Sequence, residues 1–199
     1  YPELIRMELD EDHPAVGLLD NMETAASQIA EINQQLLTLG RRGHYNLSPL
    51  DLNSIVTHVV AEFGATPTDT RITADVGTEV PRISGGGSQI TRILTNLLRN
   101  AVDAMAEGGT ACISTANIRA SEQFGHTNTI PPGEYVRVDV ADSGPGIDPD
   151  ILPRIFDPFF TTKTTDRQRG SGLGLSVVHA VMKDHSGFVD VVTESAHGT

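Results

Sequence analysis

The stretch ADSGPGIDPDILPRIFDPFFTTKTTDRQRGSGLGL, Ala141 to Leu175, decides the fold. Two glycine clusters, Asp142-Ser-Gly-Pro-Gly146 and Gly170-Ser-Gly-Leu-Gly174, enclose an aromatic cluster and a basic run. Before it, Tyr135 to Asp142 alternates as a strand, with Val136, Val138 and Val140 on one face, and the same period of two puts Asp142 on that face. A carboxylate turned toward a core needs a donor, such as an exocyclic amine. Gly144 and Gly146 let the backbone turn and approach a ligand closely. At the far end, Gly170, Gly172 and Gly174 lead into a helical pattern, Leu175, Val178, Val181 and Met182, so exposed N–H groups at a helix N-terminus offer an anion site.

A GxGxG pattern alone is weak, and its context strengthens it. Upstream, Ser88 to Met105 carries an apolar stripe of Ile90, Ile93, Leu94, Leu97, Leu98 and Ala101. At 100° per residue, Asn96, Asn100 and Asp103 line the border of that stripe. Two amides and a carboxylate there suit Mg2+ with its waters beside phosphates, because Mg2+ takes oxygen ligands and keeps part of its hydration shell.

The run Asn96-Leu-Leu-Arg-Asn100-Ala-Val-Asp-Ala resembles the N box of sensor histidine kinases, and Asp142-Ser-Gly-Pro-Gly146 resembles their first glycine box. Phe156-Asp-Pro-Phe-Phe160 is similar to the F box, and Gly170-Ser-Gly-Leu-Gly174-Leu to the second glycine box. The resemblance is close from about residue 44 onward and looser over residues 1–43. It implies an α+β fold of the GHKL superfamily, the Bergerat two-layer α/β sandwich. That fold has a mixed, mostly antiparallel sheet and three main helices, here preceded by a partial helical hairpin. The expected domains are 1–43, part of a dimerisation and phosphoacceptor hairpin, and 44–199, a catalytic ATP-binding domain.

The resemblance further implies a protein-histidine kinase of a two-component system that uses ATP and Mg2+. In it Asp142 would bond the adenine amine, Asn100 would coordinate Mg2+, and Asn96 would line the same pocket. Gly144, Gly146, Gly170, Gly172 and Gly174 would give room and N–H contacts. Ile147, Phe156, Thr162, Ser171, Leu173 and Leu175, within or just beside the matched boxes, complete the set expected to contact nucleotide, together with Asp103 and Lys163. Asn96, Asn100 and Lys163 are the candidate catalytic residues, since phosphoryl transfer needs alignment and charge neutralisation. The cations available are Lys163, Arg167, Arg169 and Arg99. Asp148 to Arg169 would be a lid over ATP, expected to order on nucleotide.

Two departures bear on mechanism. Many members carry lysine three residues after the magnesium asparagine, where this chain has Asp103. In the gyrase, HSP90 and MutL ATPases a glutamate that activates water stands at the place of Asn96, and an amide cannot be that base at neutral pH.

A net charge of −12 over 199 residues argues against nucleic acid or an anionic membrane as partner. The single cysteine, Cys112, fits a reducing compartment; the expectation is a cytoplasmic fragment of a larger protein, with membrane anchoring of that parent left open.

Toward the N-terminus, Tyr1 to Leu9 reads as the end of a helix, Asp10 to Gly17 as a turn, and Leu18 to Arg41 as a second helix. Leu18, Met22, Ala25, Ile29, Ile32, Leu36 and Leu39 keep a four-three spacing. That is either a face packed on the chain's own domain or a seam for a homodimer. The resemblance implies a phosphorylated histidine followed by an acidic residue on the first helix of the hairpin; none of the seven histidines has that neighbour, so the acceptor is expected upstream of Tyr1. Further expected elements are strands at Tyr45–Leu50, Arg71–Val76 and Pro81–Ser84, and a helix at Leu52–Phe63 begun by Asp51 or Asn53. The N-box helix would be capped by Ser88, a hairpin would join Thr110–Ala116 to Glu134–Ala141, and Gly187–Ser195 would be a last strand.

Three functions remain open. The first is a histidine kinase that passes its phosphoryl group to a response regulator receiver domain. The others are a GHKL kinase or anti-sigma-type switch with another acceptor, and a non-enzymatic nucleotide-binding or dimerisation module.

Overall fold

The computed structural model describes residues 5, 9, 13–40, 47–65, 69–163, 170–194 and 197–199. The chain divides into two compact units, Tyr1–Arg41 and Arg42–Thr199. The first unit contains helix α1 (Ala15–Gly40). It starts three residues before the expected Leu18, because His13 anchors it: the His13 carbonyl accepts the Val16 N–H at 2.9 Å and its Nδ1 accepts the Ala15 N–H at 3.1 Å. Of the seam, Leu18, Met22 and Ile29 are exposed within this unit and Leu19 is the buried neighbour. Leu36 and Leu39 lie outside the described side chains, as does nearly all of the helix expected over Tyr1–Leu9.

The second unit runs β1 (Ser48–Leu50), α2 (Leu52–Gly64), β2 (Thr70–Val76), β3 (Ile83–Gly85), α3 (Gly87–Ala104), β4 (Gly109–Ala120), β5 (Gly133–Asp142), a 3-10 turn (Leu152–Arg154) and α4 (Gly174–Asp184). β1 and β3 form an antiparallel pair, and β2, β4 and β5 a sheet in that order. β2 lies parallel to β4, which requires a crossover, and α3 lies within it. β4 and β5 are antiparallel from Ala111↔Asp142 to Ala120↔Gly133. α2 and α3 pack against strands of this sheet and against each other, and α4 packs on α3. Alternate residues of β4, Ala111, Ile113 and Thr115, are buried, and Leu98 of α3 and Val56 and Val59 of α2 are fully enclosed.

Asp51 caps α2 as expected, accepting the Ser54 N–H at 3.2 Å. Asn53 instead links layers: its Nδ2 donates to the Gly77 carbonyl at 2.8 Å, and its Oδ1 accepts from the Thr115 hydroxyl at 2.7 Å. The Ser88 cap is not found. Gly86 is the N-cap of α3 and makes no side-chain cap bond. Its N–H donates to His185 Nε2 at 3.0 Å, while His185 Nδ1 sits 2.8 Å from the Val181 carbonyl. A neutral His185 with its proton on Nδ1 satisfies both, so the start of α3 is tied to the end of α4.

The hairpin strands are longer than expected, leaving only residues 121–132 between them, with a bridge from Phe124 to Ile130. The expected strand over Gly187–Ser195 forms no ladder among its described residues, apart from a single bridge between Glu194 and Gly198. Its donors and acceptors go to the hairpin loop instead. Asp190 accepts backbone N–H bonds from His126 at 2.8 Å and Thr127 at 2.7 Å and the Thr127 hydroxyl at 2.9 Å, and Asn128 Nδ2 donates to the Val189 carbonyl at 2.6 Å. Phe188 and Phe124 each meet Tyr135 edge-on with ring centres 5.9 Å apart. Partial burial raises the Asp190 carboxyl, but the donors from Thr127 and His126 outweigh it and hold the group well below the usual carboxylate range.

A depressed folded-state value stabilises the fold above the ordinary carboxylate range and loses that contribution as pH falls. Asp190→Asn is therefore expected to destabilise the unit by about 1–3 kcal/mol at pH 7. In urea melts its gap from wild type should narrow as the pH drops below 3.8; a pH-independent gap would refute the clasp.

Candidate functional site

Helix α3 forms one wall of the site because its two faces differ. Ile90, Ile93, Leu94, Leu98 and Ala101 are buried, and Asn96 and Asn100 are left half-buried at the edge of that stripe. Asn96 Nδ2 donates to the Gly174 carbonyl at 3.3 Å. A methyl group placed on Gly174 would lie 3.8 Å from Asn100 Nδ2. Both amides therefore face the point where the second glycine cluster enters α4. The helix starts there, and its N-cap residue, Leu173, makes no side-chain cap bond to the first N–H groups.

The first glycine cluster closes the other end. Asp142 ends β5, half-buried; its Oδ1 accepts the Gly144 N–H at 2.8 Å, and its backbone N–H donates to the Thr199 carbonyl at 2.9 Å. A Cβ on Gly144 would come within 2.8 Å of that same carboxylate oxygen and 3.4 Å of Met105 Cγ, so a side chain there would close the space beside Asp142. Met105, buried at the C-terminal end of α3, forms the floor beneath this turn. It was not singled out in the sequence because a methionine at the end of an apolar stripe reads as core. Thr193 is a second residue that sequence reasoning passed over. Its hydroxyl accepts the Ile147 N–H at 2.7 Å and lies 3.2 Å from both the Gly198 carbonyl and the Thr199 hydroxyl, joining the end of the first glycine cluster to Gly198 and Thr199.

The segment that follows the first glycine cluster makes two aromatic contacts. Ile155 is buried, Phe156 lies 5.5 Å from the His179 ring of α4, and Phe160 carries the Arg154 guanidinium 4.5 Å above its ring. Phe159 is exposed, and its backbone is held in the left-handed region at φ 67°. Its N–H donates to the Gly172 carbonyl at 2.9 Å. Gly172 itself sits at φ 66°, and a Cβ there would run into the Phe159 backbone.

Lys163 reaches back from this segment to α3, its Nζ 2.6 Å from Asp103 Oδ2, and its backbone N–H is held by the Thr161 hydroxyl at 3.1 Å. Its stem passes Gly170, where a Cβ would meet Lys163 Cδ at 3.5 Å. Thr162 is exposed beside it. Ser171 Oγ accepts the Leu173 N–H at 3.3 Å; the Leu173 side chain is core, so only its backbone faces the cluster, and Leu175 is half-buried on α4. The predicted residues thus fall into two groups along α3: Asn96, Asn100, Asp103 and Lys163 with Gly170 and Gly174, and Asp142 with Gly144, Gly146 and Ile147. Arg167 and Arg169 lie outside the described residues, as does the rest of the stretch 164–169, within the expected lid.

This donor set fits Mg2+ with a polyphosphate. Among the described residues no cluster of three or more histidine, cysteine, aspartate or glutamate side chains gathers, so a cation here would take few protein ligands and fill its shell with phosphate and water oxygens. With Asp103 paired to Lys163, Asn100, whose side-chain amide lies beside Gly174, is a side chain that could supply an oxygen ligand.

Residues 85–199 match the family described as histidine kinase-, DNA gyrase B-, and HSP90-like ATPase. The chain is similar to the sensor kinase CckA of Brucella abortus (strain 2308), 34% identical over 188 residues covering 94% of this chain and 20% of that protein. It is also similar to the sensory histidine kinase/phosphatase NtrB of Rhizobium leguminosarum bv. phaseoli, 30% identical over 203 residues covering 98% of this chain and 47% of that one. Among solved structures, the catalytic domain of the histidine kinase ThkA superposes with a TM-score of 0.55 at 28% identity, covering 70% of this chain and 82% of that one.

Gly170 and Gly172 make opposite demands on a side chain, which gives a paired test. Gly172→Ala is expected to cost about 1–3 kcal/mol in thermal melts, from its positive φ and the Phe159 backbone. Gly170→Ala, which meets only ordinary contacts, should cost less than about 1 kcal/mol. Equal costs would contradict the pinned geometry at Phe159.

Proposed function

The chain belongs to the family of histidine kinase-, DNA gyrase B- and HSP90-like ATPases, and from that premise we propose that it is the catalytic, ATP-binding portion of a protein-histidine kinase. It spans between 20% and 47% of the length of the curated relatives named above. The whole protein's reaction is therefore inferred from the site. Asp142 would bind the adenine amine, the glycine clusters and the α4 N-terminus the phosphates, and Asn100 a Mg2+ that draws charge from the phosphoryl oxygens.

The observation that carries the reading is Asn96. It occupies the border position on α3 where a hydrolase would need a carboxylate base, and its amide donates to the Gly174 carbonyl. The site has the parts to align a phosphoryl group and neutralise its charge, and it lacks a base for water at that position. Transfer to a positioned nucleophile is the chemistry left. The acceptor is a histidine in the remainder of the full-length protein, since none of the seven histidines in this sequence precedes an acidic residue.

The phosphoryl group would then pass to an aspartate of a response regulator receiver domain. The exposed Leu18, Met22 and Ile29 of α1 would support a homodimer formed through residues 1–43. No helix among the described residues is long and apolar enough to cross a membrane. With the free thiol of Cys112, that supports a cytoplasmic placement for this portion.

Full-length protein incubated with Mg2+ and γ-labelled ATP is expected to acquire label that is acid-labile and base-stable, and Asp142→Ala should abolish it. The chain alone is expected to release phosphate slowly. Acid-stable label, or rapid phosphate release by the chain alone, would overturn the reading.

A further inference from the structure

The phosphate-facing side of α3 presents an electrostatic problem. Asp103 lies one helical turn beyond Asn100, on the same border of the helix, where its carboxylate would oppose a triphosphate. The whole chain carries a net charge of −12, which makes a local cation necessary for any polyanion to settle there. The structure brings Lys163 to that carboxylate across sixty positions of sequence, at 2.6 Å. The contact is built: the Lys163 N–H is held by the Thr161 hydroxyl, its stem lies against Gly170, and its side chain is 27% exposed where most lysines are open to solvent.

Resting on the nucleotide-site reading above, we propose that Asp103 is a positioning residue that holds Lys163 at the entrance to the phosphate site and yields it to the terminal phosphate of a nucleoside triphosphate. The helix supplies the anchor and the lid supplies the cation. In the nucleotide-free protein the ammonium neutralises Asp103 and keeps residues 161–163 on α3. When a triphosphate enters, its oxygens, carrying more charge than one carboxylate, take over the ammonium. The segment that starts the lid is thereby committed by the ligand's own charge. A monophosphate does not extend to that point and leaves the pair intact, so the exchange discriminates by phosphate number.

The pair is partly open to water, so its coupling is small, corresponding to about a two- to fivefold effect. Amide exchange of residues 160–163 in the nucleotide-free chain reads the anchor without any nucleotide. Asp103→Asn and Lys163→Gln should each speed that exchange about two- to fivefold. The double variant should add nothing further, and the swap Asp103→Lys with Lys163→Asp should restore protection. Unchanged exchange in Asp103→Asn, additive effects in the double variant, or a swap that fails to restore protection would overturn the proposal.

Binding reads the handover. Asp103→Asn should bind ATP about two- to fivefold more tightly than wild type, because a competitor for the ammonium is gone, and Lys163→Gln should bind it more weakly. AMP should bind all of them alike. Weaker or unchanged ATP binding by Asp103→Asn, or an equal change for AMP, overturns the handover while leaving the nucleotide site standing. If wild type binds neither ATP nor AMP, the nucleotide-site reading falls and the handover with it, even where the exchange data preserve the anchor.

Discussion

The second unit depends on one constraint: α3 must be core on one side and a polar wall on the other. Its position follows from topology, since β2 and β4 are parallel neighbours and the chain must cross over between them through this helix. The crossover presses Ile93, Leu94 and Leu98 into the interior, and each of these buried side chains stabilises the fold by about 1.5–3 kcal/mol. Asn96 and Asn100 lie between buried positions and cannot leave without disturbing them. A helix so firmly held can present two amides at fixed places, which is what orientation-dependent chemistry requires.

An acidic chain that takes an acidic ligand must concentrate its positive charge and its N–H donors in one place. Two sources are visible here: the start of α4 behind a run of glycines, and the ammonium of Lys163 held by Asp103. The backbone donors are part of the fold. The ammonium comes from a different stretch of chain, sixty positions away, and is held at α3 by a side-chain contact. The arrangement joins donors fixed by the backbone to a cation held by one side chain.

How much of this the sequence disclosed varies with the range of the interaction. The Asp51 cap was legible because cap and target are three residues apart. The period of two along β5 and the stripe on α3 were legible because each repeats many times within its own element. The Ser88 cap was misread because the competing partner of Gly86 is His185, on the far end of another helix. Gly187–Ser195 has the composition of a strand, yet Asp190 and Val189 bind the 126–128 loop, and no local pattern encodes that preference. The Asp103–Lys163 contact was hidden for the same reason. Each residue read alone suggested a ligand contact or a solvated charge, and only the fold pairs them.

The bond from the Phe159 N–H to the Gly172 carbonyl also bears on chain entropy. It splits the excursion between the two glycine clusters at a fixed point, so that residues 147–158 run between two anchored ends, the first glycine cluster and this contact. Closure entropy scales with the logarithm of length, so roughly halving the free contour lowers the entropic cost of holding that segment in one arrangement by about 0.6 kcal/mol. The exposed Phe159 ring is therefore carried on backbone whose position two atoms establish.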